Sequence, residues 1–181
     1  MTRLAAQDPA TFPVEVREFV ATLPPDPMVE MMSLSTGTVK PFVQLAKALF
    51  TSLQLPARSR EVVILAVAHL TDSVFVAGQH ETMARAAGVE DRVAGLISLG
   101  EFDSAELSAS DRALLALTSE IVRQPRVSDD VFDQARRHLT DREIAEVLQV
   151  VGYYWSFGRI TTTLDVELTT VYGDEPVLDA P

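Results

Sequence analysis

Residues 61–80, EVVILAVAHLTDSVFVAGQH, decide how this chain is read. A carboxylate, Glu61, opens the stretch, positions 62–68 are all apolar, and an imidazole, His80, closes it. A helix with seven successive apolar residues is buried on every side rather than laid on a surface. Thr71, Asp72 and Ser73 then supply cap chemistry. The stretch therefore predicts two helices in tandem, the first ending near His69 or Leu70 and the second starting after Ser73. On the second, Ser73, Val76, Ala77 and His80 stand at i, i+3, i+4 and i+7 and share one face. Ser73 and His80 are two turns apart, about 10 Å along the axis.

Working outward, helix signals recur and strand signals are weak. Residues 13–22 start with a proline at a first helical position, and Pro24, Pro25 and Pro27 break that helix. A brief helix is expected over 28–34, and 40–53 carries an apolar stripe at helical spacing. Downstream, Gly88 after Arg85 is a helix stop, 90–98 is a short helix, and an acidic loop covers 101–108. Ser108 caps a helix over 111–123, and Ser128-Asp-Asp caps one over 130–138. Thr140-Asp-Arg-Glu matches the reciprocal capping box and opens a long helix to about Val171. The pattern predicts an all-α fold, a single-domain helical bundle. Residues 1–39 read as an N-terminal helical extension, 40–172 as the helical domain and 173–181 as a flexible tail.

Composition excludes several functions. The net charge of −11 lacks the basic face that phosphate neutralisation needs, so neither nucleic acid nor an anionic membrane surface is an expected partner. No apolar run reaches the roughly 18 residues of a membrane span, and the N-terminus has no apolar signal core; a cytoplasmic location is the default expectation. The chain has no cysteine, which excludes thiol nucleophiles, disulfides and thiolate metal sites. His69, His80 and His138 make no metal-binding spacing, so no metal is expected.

His80, at the end of a small apolar face, suits proton transfer in a dry pocket; a half-buried histidine satisfied by a carbonyl is the plainer alternative. Glu61 is either a dipole partner of its helix or, held beside a low-dielectric wall, a carboxyl raised in pKa. Arg58 and Arg60 stand close enough in sequence to neutralise it. His69 lies two turns beyond Glu61 and is either an orienting group or an ordinary helix-end residue. In GYYWSFGRI, residues 152–160, aromatic side chains crowd together and Arg159 follows Trp155 at i+4. That cluster is core, interface or a pocket wall in which Arg159 holds a substrate carboxylate.

Glu61, eleven residues, Ser73-x-x-Val76, three residues, His80 resembles the signature of the carboxymuconolactone decarboxylase and alkylhydroperoxidase D-like family. In that signature the positions of Ser73 and Val76 hold a cysteine pair. The segments ARSREVVILAVAHLTDS, HETMARAAGVEDRVAGL and LTDREIAEVLQVVGYYWSFGRITTTLDVEL are similar to the family's helices over roughly residues 40–168. The resemblance implies an alkylhydroperoxidase D-like helical bundle that forms a homo-oligomer, a trimer or hexamer. It implies Glu61 and His80 as proton-handling residues and no cofactor; Ser73 and Val76 by their place in the signature, and His69, Trp155 and Arg159 by the reading of the residues above, are the candidates for substrate contact. Without thiolates the peroxidase chemistry is not inherited. Two readings stay open: a cofactor-independent lyase or isomerase on a small carboxylated or lactone substrate, or a non-catalytic oligomer that binds a small ligand or a partner protein.

Overall fold

The computed structural model describes residues 2–168. In chain order its helices are α1 (Val14–Val20), α2 (Pro27–Met32), α3 (Val39–Thr51), α4 (Ala57–Leu70), α5 (Val74–Ala86), α6 (Asp91–Leu99), α7 (Ala109–Arg123), α8 (Asp129–Ala135) and α9 (Asp141–Leu164), with a short 3-10 turn, Pro9–Thr11, before them. No strand occurs among the described residues, and none of their helices is long and apolar enough to cross a membrane.

The run 62–68 explains why α4 is central. Val62, Val63, Ile64, Ala66 and Val67 are fully withdrawn from solvent, and burying a valine or isoleucine is worth about 1.5–3 kcal/mol. Helices α5, α6, α7 and α9 pack around α4 on its several sides. Polar groups fix this arrangement. Glu146 of α9 accepts from the backbone N–H of Gln54 and Leu55 at 3.1 and 2.7 Å and from Arg142 at 2.8 Å, tying α9 to the α3–α4 connection. Arg58 of α4 donates to both carboxylate oxygens of Asp111 on α7, at 2.7 and 3.1 Å, and to Glu90 at 2.7 Å.

The caps stand where the sequence places them. Ser73, Ser108, Ser128 and Thr140 each accept a backbone N–H of the first turn that follows, and Thr140 and Glu143 form the full capping box. At the end of α4 the Ser73 N–H donates to the Ala68 carbonyl and the Asp72 N–H to that of His69. This is a Schellman closure, with Asp72 in the left-handed region at φ 53°. Ser73 thus ends one helix and begins the next.

Two satellite clusters attach the N-terminal segment. Phe12 and Val16 pack on Val39 of α3, while Met28 and Met31 pack with Phe75 and Val166. Arg3 donates through its backbone to the Leu164 carbonyl and pairs with Asp165, both at 2.9 and 2.8 Å. Helices α1, α2 and α3 end two residues before the expected positions, and α8 and α9 fall short by more. α8 ends at Ala135, and α9 stops at Leu164 rather than near Val171. The physical reason lies in the threonine run 161–163, poor in helix propensity, and in Asp165, whose left-handed φ of 51° turns the chain. The tail 173–181 lies outside the described residues.

Candidate functional site

Glu61 is the second buried residue of α4 and its side chain has no solvent exposure. Its two oxygens are divided between two partners. Oε2 lies 2.8 Å from Nδ1 of His80 on α5. Oε1 accepts from Nε and Nη2 of Arg60 at 3.1 and 3.0 Å. Arg60 is itself buried, with its guanidinium 4.2 Å from the centre of the Phe50 ring. Burial alone pushes the Glu61 carboxyl up; the hydrogen bond and charge of His80, then Arg60, outweigh it and hold the carboxyl below its ordinary value of 4.5. The raised pKa expected from a low-dielectric wall is therefore overturned, because the wall comes with two donors. Arg58, the other candidate neutraliser, is engaged by Asp111 and Glu90 instead.

An ionised carboxylate only accepts hydrogen bonds, so the proton between Glu61 and His80 resides on Nδ1. Whenever the ring is neutral, Nδ1 carries its hydrogen and Nε2 is the free base. His80 is buried; Tyr154 stands edge-on to it at 4.9 Å between centroids, and Phe50 is roughly parallel at 6.2 Å.

His80 lines a cavity of about 120 Å³. Phe42, Phe50, Tyr153, Tyr154 and Phe157 form its wall on the α3 and α9 side, and Phe19, Leu23, Met28 and Met32 of the N-terminal segment close the other. Gln79, Met83, Lys47 and Asp26 also reach it. Glu61 does not: it sits behind His80, so it can hold the imidazole without touching a ligand. The volume is somewhat below the roughly 150 Å³ that takes up benzene in an engineered apolar cavity. A single small ring is the matching scale.

Of the residues that sequence spacing singles out, only His80 lines the cavity, with Glu61 brought against it. Ser73 and Val76 do not line this cavity. Ser73 is buried as the cap of α5, 3.3 Å from the Thr161 hydroxyl, and Val76 is core. The helix face leading to His80 is not the cavity floor, because α9 packs over it: an added Cβ at Gly158 would meet the Ser73 Cβ at 3.2 Å. His69 sits at the far end of α4, edge-on to Phe102 at 5.6 Å. Both His69 and Ser73 border an open groove between α5 and α6. Trp155 and Arg159 pair on the surface, at 5.8 Å, and Trp155 is 44% exposed. Arg159 therefore does not reach the cavity, whose cation is Lys47. Phe75 belongs to the N-terminal satellite cluster, whereas Met83 lines the cavity. Gln79, Lys47 and the N-terminal wall carry no signal at the level of spacing, since their meeting depends on how α1, α2 and α3 pack. Among the described residues no group of three or more His, Asp or Glu is arranged to hold a metal ion.

The frame of Glu61 and His80 stands on two packed helices, and comparison with known proteins matches the segment that carries it to a family model. The sequence model of the Carboxymuconolactone decarboxylase family matches residues 37–104, which hold both residues. Over that segment the chain is similar to this family, and it carries no cysteine. No curated protein matches the sequence. Solved structures share the fold. One is an uncharacterized peroxidase-related protein with an alkylhydroperoxidase AhpD core from Ralstonia eutropha JMP134, with TM-score 0.77, 16% identity and 93% of each chain covered. Another is an uncharacterized peroxidase-related protein from Silicibacter sp. TM1040, with TM-score 0.76, 15% identity, 96% of this chain and 93% of that one. A third is a cysteine-to-alanine variant of the debrominase Bmp8 in complex with 2,3,4-tribromopyrrole, with TM-score 0.73, 13% identity and 94% of each chain. At these identities the likeness is one of fold.

Proposed function

We propose that this protein is a cofactor-independent lyase or isomerase that moves a proton on a small, single-ring carboxylated or lactone substrate. The observation that carries this reading is the 2.8 Å contact between buried Glu61 and His80, with the imidazole in the wall of a largely apolar cavity. His80 is the catalytic residue, taking or giving a proton through Nε2. Glu61 is a positioning residue that fixes the tautomer and ring plane, and Arg60 balances its charge. A dry, aromatic-walled site strengthens such electrostatics and keeps water from a carbanion or enolate. The fold neighbour with a bound bromopyrrole supports the size class only. With no cysteine in the chain, thiol peroxidase chemistry has no place in the proposal.

The test is proton exchange. A panel of small ring lactones, ketones and ring carboxylic acids is incubated with the protein in D₂O, and deuterium incorporation and CO₂ release are followed by NMR. For any accepted compound, His80→Gln should lower the rate roughly 10²–10⁴-fold with the fold retained by circular dichroism. Unchanged turnover in that variant, or ligand binding without exchange or decarboxylation across the panel, sinks the catalytic reading in favour of a binding protein.

A further inference from the structure

Gln79 precedes the catalytic histidine on α5 and lines the same cavity. Its Nε2 is the buried side-chain nitrogen or oxygen that has no hydrogen-bond partner among the described residues. Leaving a buried donor unmade is costly, and native structures satisfy such groups. Phe42, Phe50, Met83 and Phe157 of the cavity wall offer no carbonyl-type acceptor, and the polar residues that also line it, Asp26, Gln44 and Thr51 among them, make no hydrogen bond with Nε2. An apolar ligand filling the cavity would strand the amide. A ligand with an oxygen acceptor would complete it, since the terminal torsion of a glutamine is soft and turns the NH₂ at little cost.

The charged groups at the cavity narrow the ligand further. Lys47 and Asp26 both reach it, one of each sign, so the site carries no excess of positive charge to favour an anion. We infer that Gln79 is the specificity-determining residue of this site, donating to the carbonyl oxygen of a neutral ring ketone or lactone seated against His80. This rests on the proposed acid–base reading and deepens it. A donor on the carbonyl oxygen stabilises the enolate formed when His80 takes the α-proton: the C–H electron pair passes into the C–C bond, the carbonyl electrons move to oxygen, and the proton rests on Nε2. In a ring with a β,γ double bond the anion is a dienolate, and return of that proton to the γ-carbon moves the double bond into conjugation and restores the carbonyl, an isomerisation with no other reactant.

Binding tests this without turnover. Cyclopentanone, cyclopentane and cyclopentanecarboxylate are titrated by NMR into the wild-type protein and into Gln79→Leu. Loss of one neutral hydrogen bond should cut the ratio of ketone to hydrocarbon affinity about threefold to tenfold in the variant, with cyclopentane binding unchanged or tighter. Gln79→Met, unbranched and of equal length, serves if the leucine variant does not fold. A ratio that moves less than about twofold, or a carboxylate that binds the wild type more tightly than the ketone does, overturns the assignment. Because the readout is affinity, failure of His80→Gln to lower turnover removes the catalytic reading and leaves the role of Gln79 in recognition standing.

Discussion

A carboxylate shut off from water persists only where fixed donors replace its hydration, and Glu61 has three N–H groups doing so from two residues. The consequence for stability follows from the direction of its shift. Its folded pKa lies below the ordinary 4.5, so the unfolded chain binds the proton more readily. The contribution is present above about pH 4.5 and is lost as pH falls through the folded value. Asp111 and Glu146 are shifted in the same direction, so the wild-type acid transition is composite. Glu61→Gln isolates one share of it. At pH 7 the variant should be about 3–5 kcal/mol less stable in urea, since buried Arg60 loses its counter-charge, and that gap should narrow steadily towards pH 3. A gap that stays constant with pH would show that Glu61 is not ionised in the folded protein. Spacing in the sequence singles out Glu61 and His80, which the fold brings within 2.8 Å of each other, but it could give neither that contact nor the sign of the shift. That sign depends first on the His80 ring turned onto Glu61 and then on Arg60 folding back beside its own neighbour, side-chain choices with no periodic signature.

At the level of elements, most of the helix plan is legible because caps and breakers act locally. Ser73, Ser108, Ser128 and Thr140 each mark a start by chemistry confined to a single turn. What escapes is set by packing between elements. The aromatic cluster of α9 shows this: Tyr153, Tyr154 and Phe157 turn to the cavity, while Trp155 and Arg159, two and four residues away from Tyr153 or Trp155, turn to solvent. Gly158 records the closeness of α9 to the α4–α5 corner. A Cβ there would stand 3.0 Å from the Thr71 hydroxyl and 3.2 Å from the Ser73 Cβ. Gly152, exposed on the same helix, has nothing within 4 Å of the corresponding point. The two glycines should thus respond oppositely to alanine. Gly152→Ala should raise stability by about 0.5–1 kcal/mol through helix propensity. Gly158→Ala should lower it by about 1–2 kcal/mol, overpacking outweighing the same gain. Melting of both variants reads the contrast, and a stabilised Gly158→Ala would show that the corner yields.

Across the whole molecule, the cavity is a joint between two unequally anchored parts. The histidine side is built on α4 and α5, where a contiguous core joins α4, α5, α6, α7 and α9. The opposite wall is α1, α2 and the proline-rich link between them, held by two small satellite clusters and by Arg3 at the end of α9. Pro24 and Pro25 in that link remove backbone donors and keep it from extending α1, and Pro27 opens α2. Local opening follows the least buried apolar contact, so this wall should open at a free energy well below that of global unfolding. Hydrogen exchange followed by mass spectrometry provides the measurement. Amides over residues 14–34 should exchange through local opening while those over 57–70 exchange only with global unfolding. A ligand that occupies the cavity touches Met28 and Met32 as well as His80, so it should slow exchange in 14–34 while leaving 109–123 unchanged. Equal protection of 14–34 and 57–70 in the free protein would mean that the wall folds and unfolds with the core. Ligand entry would then need a route other than displacement of α1 and α2.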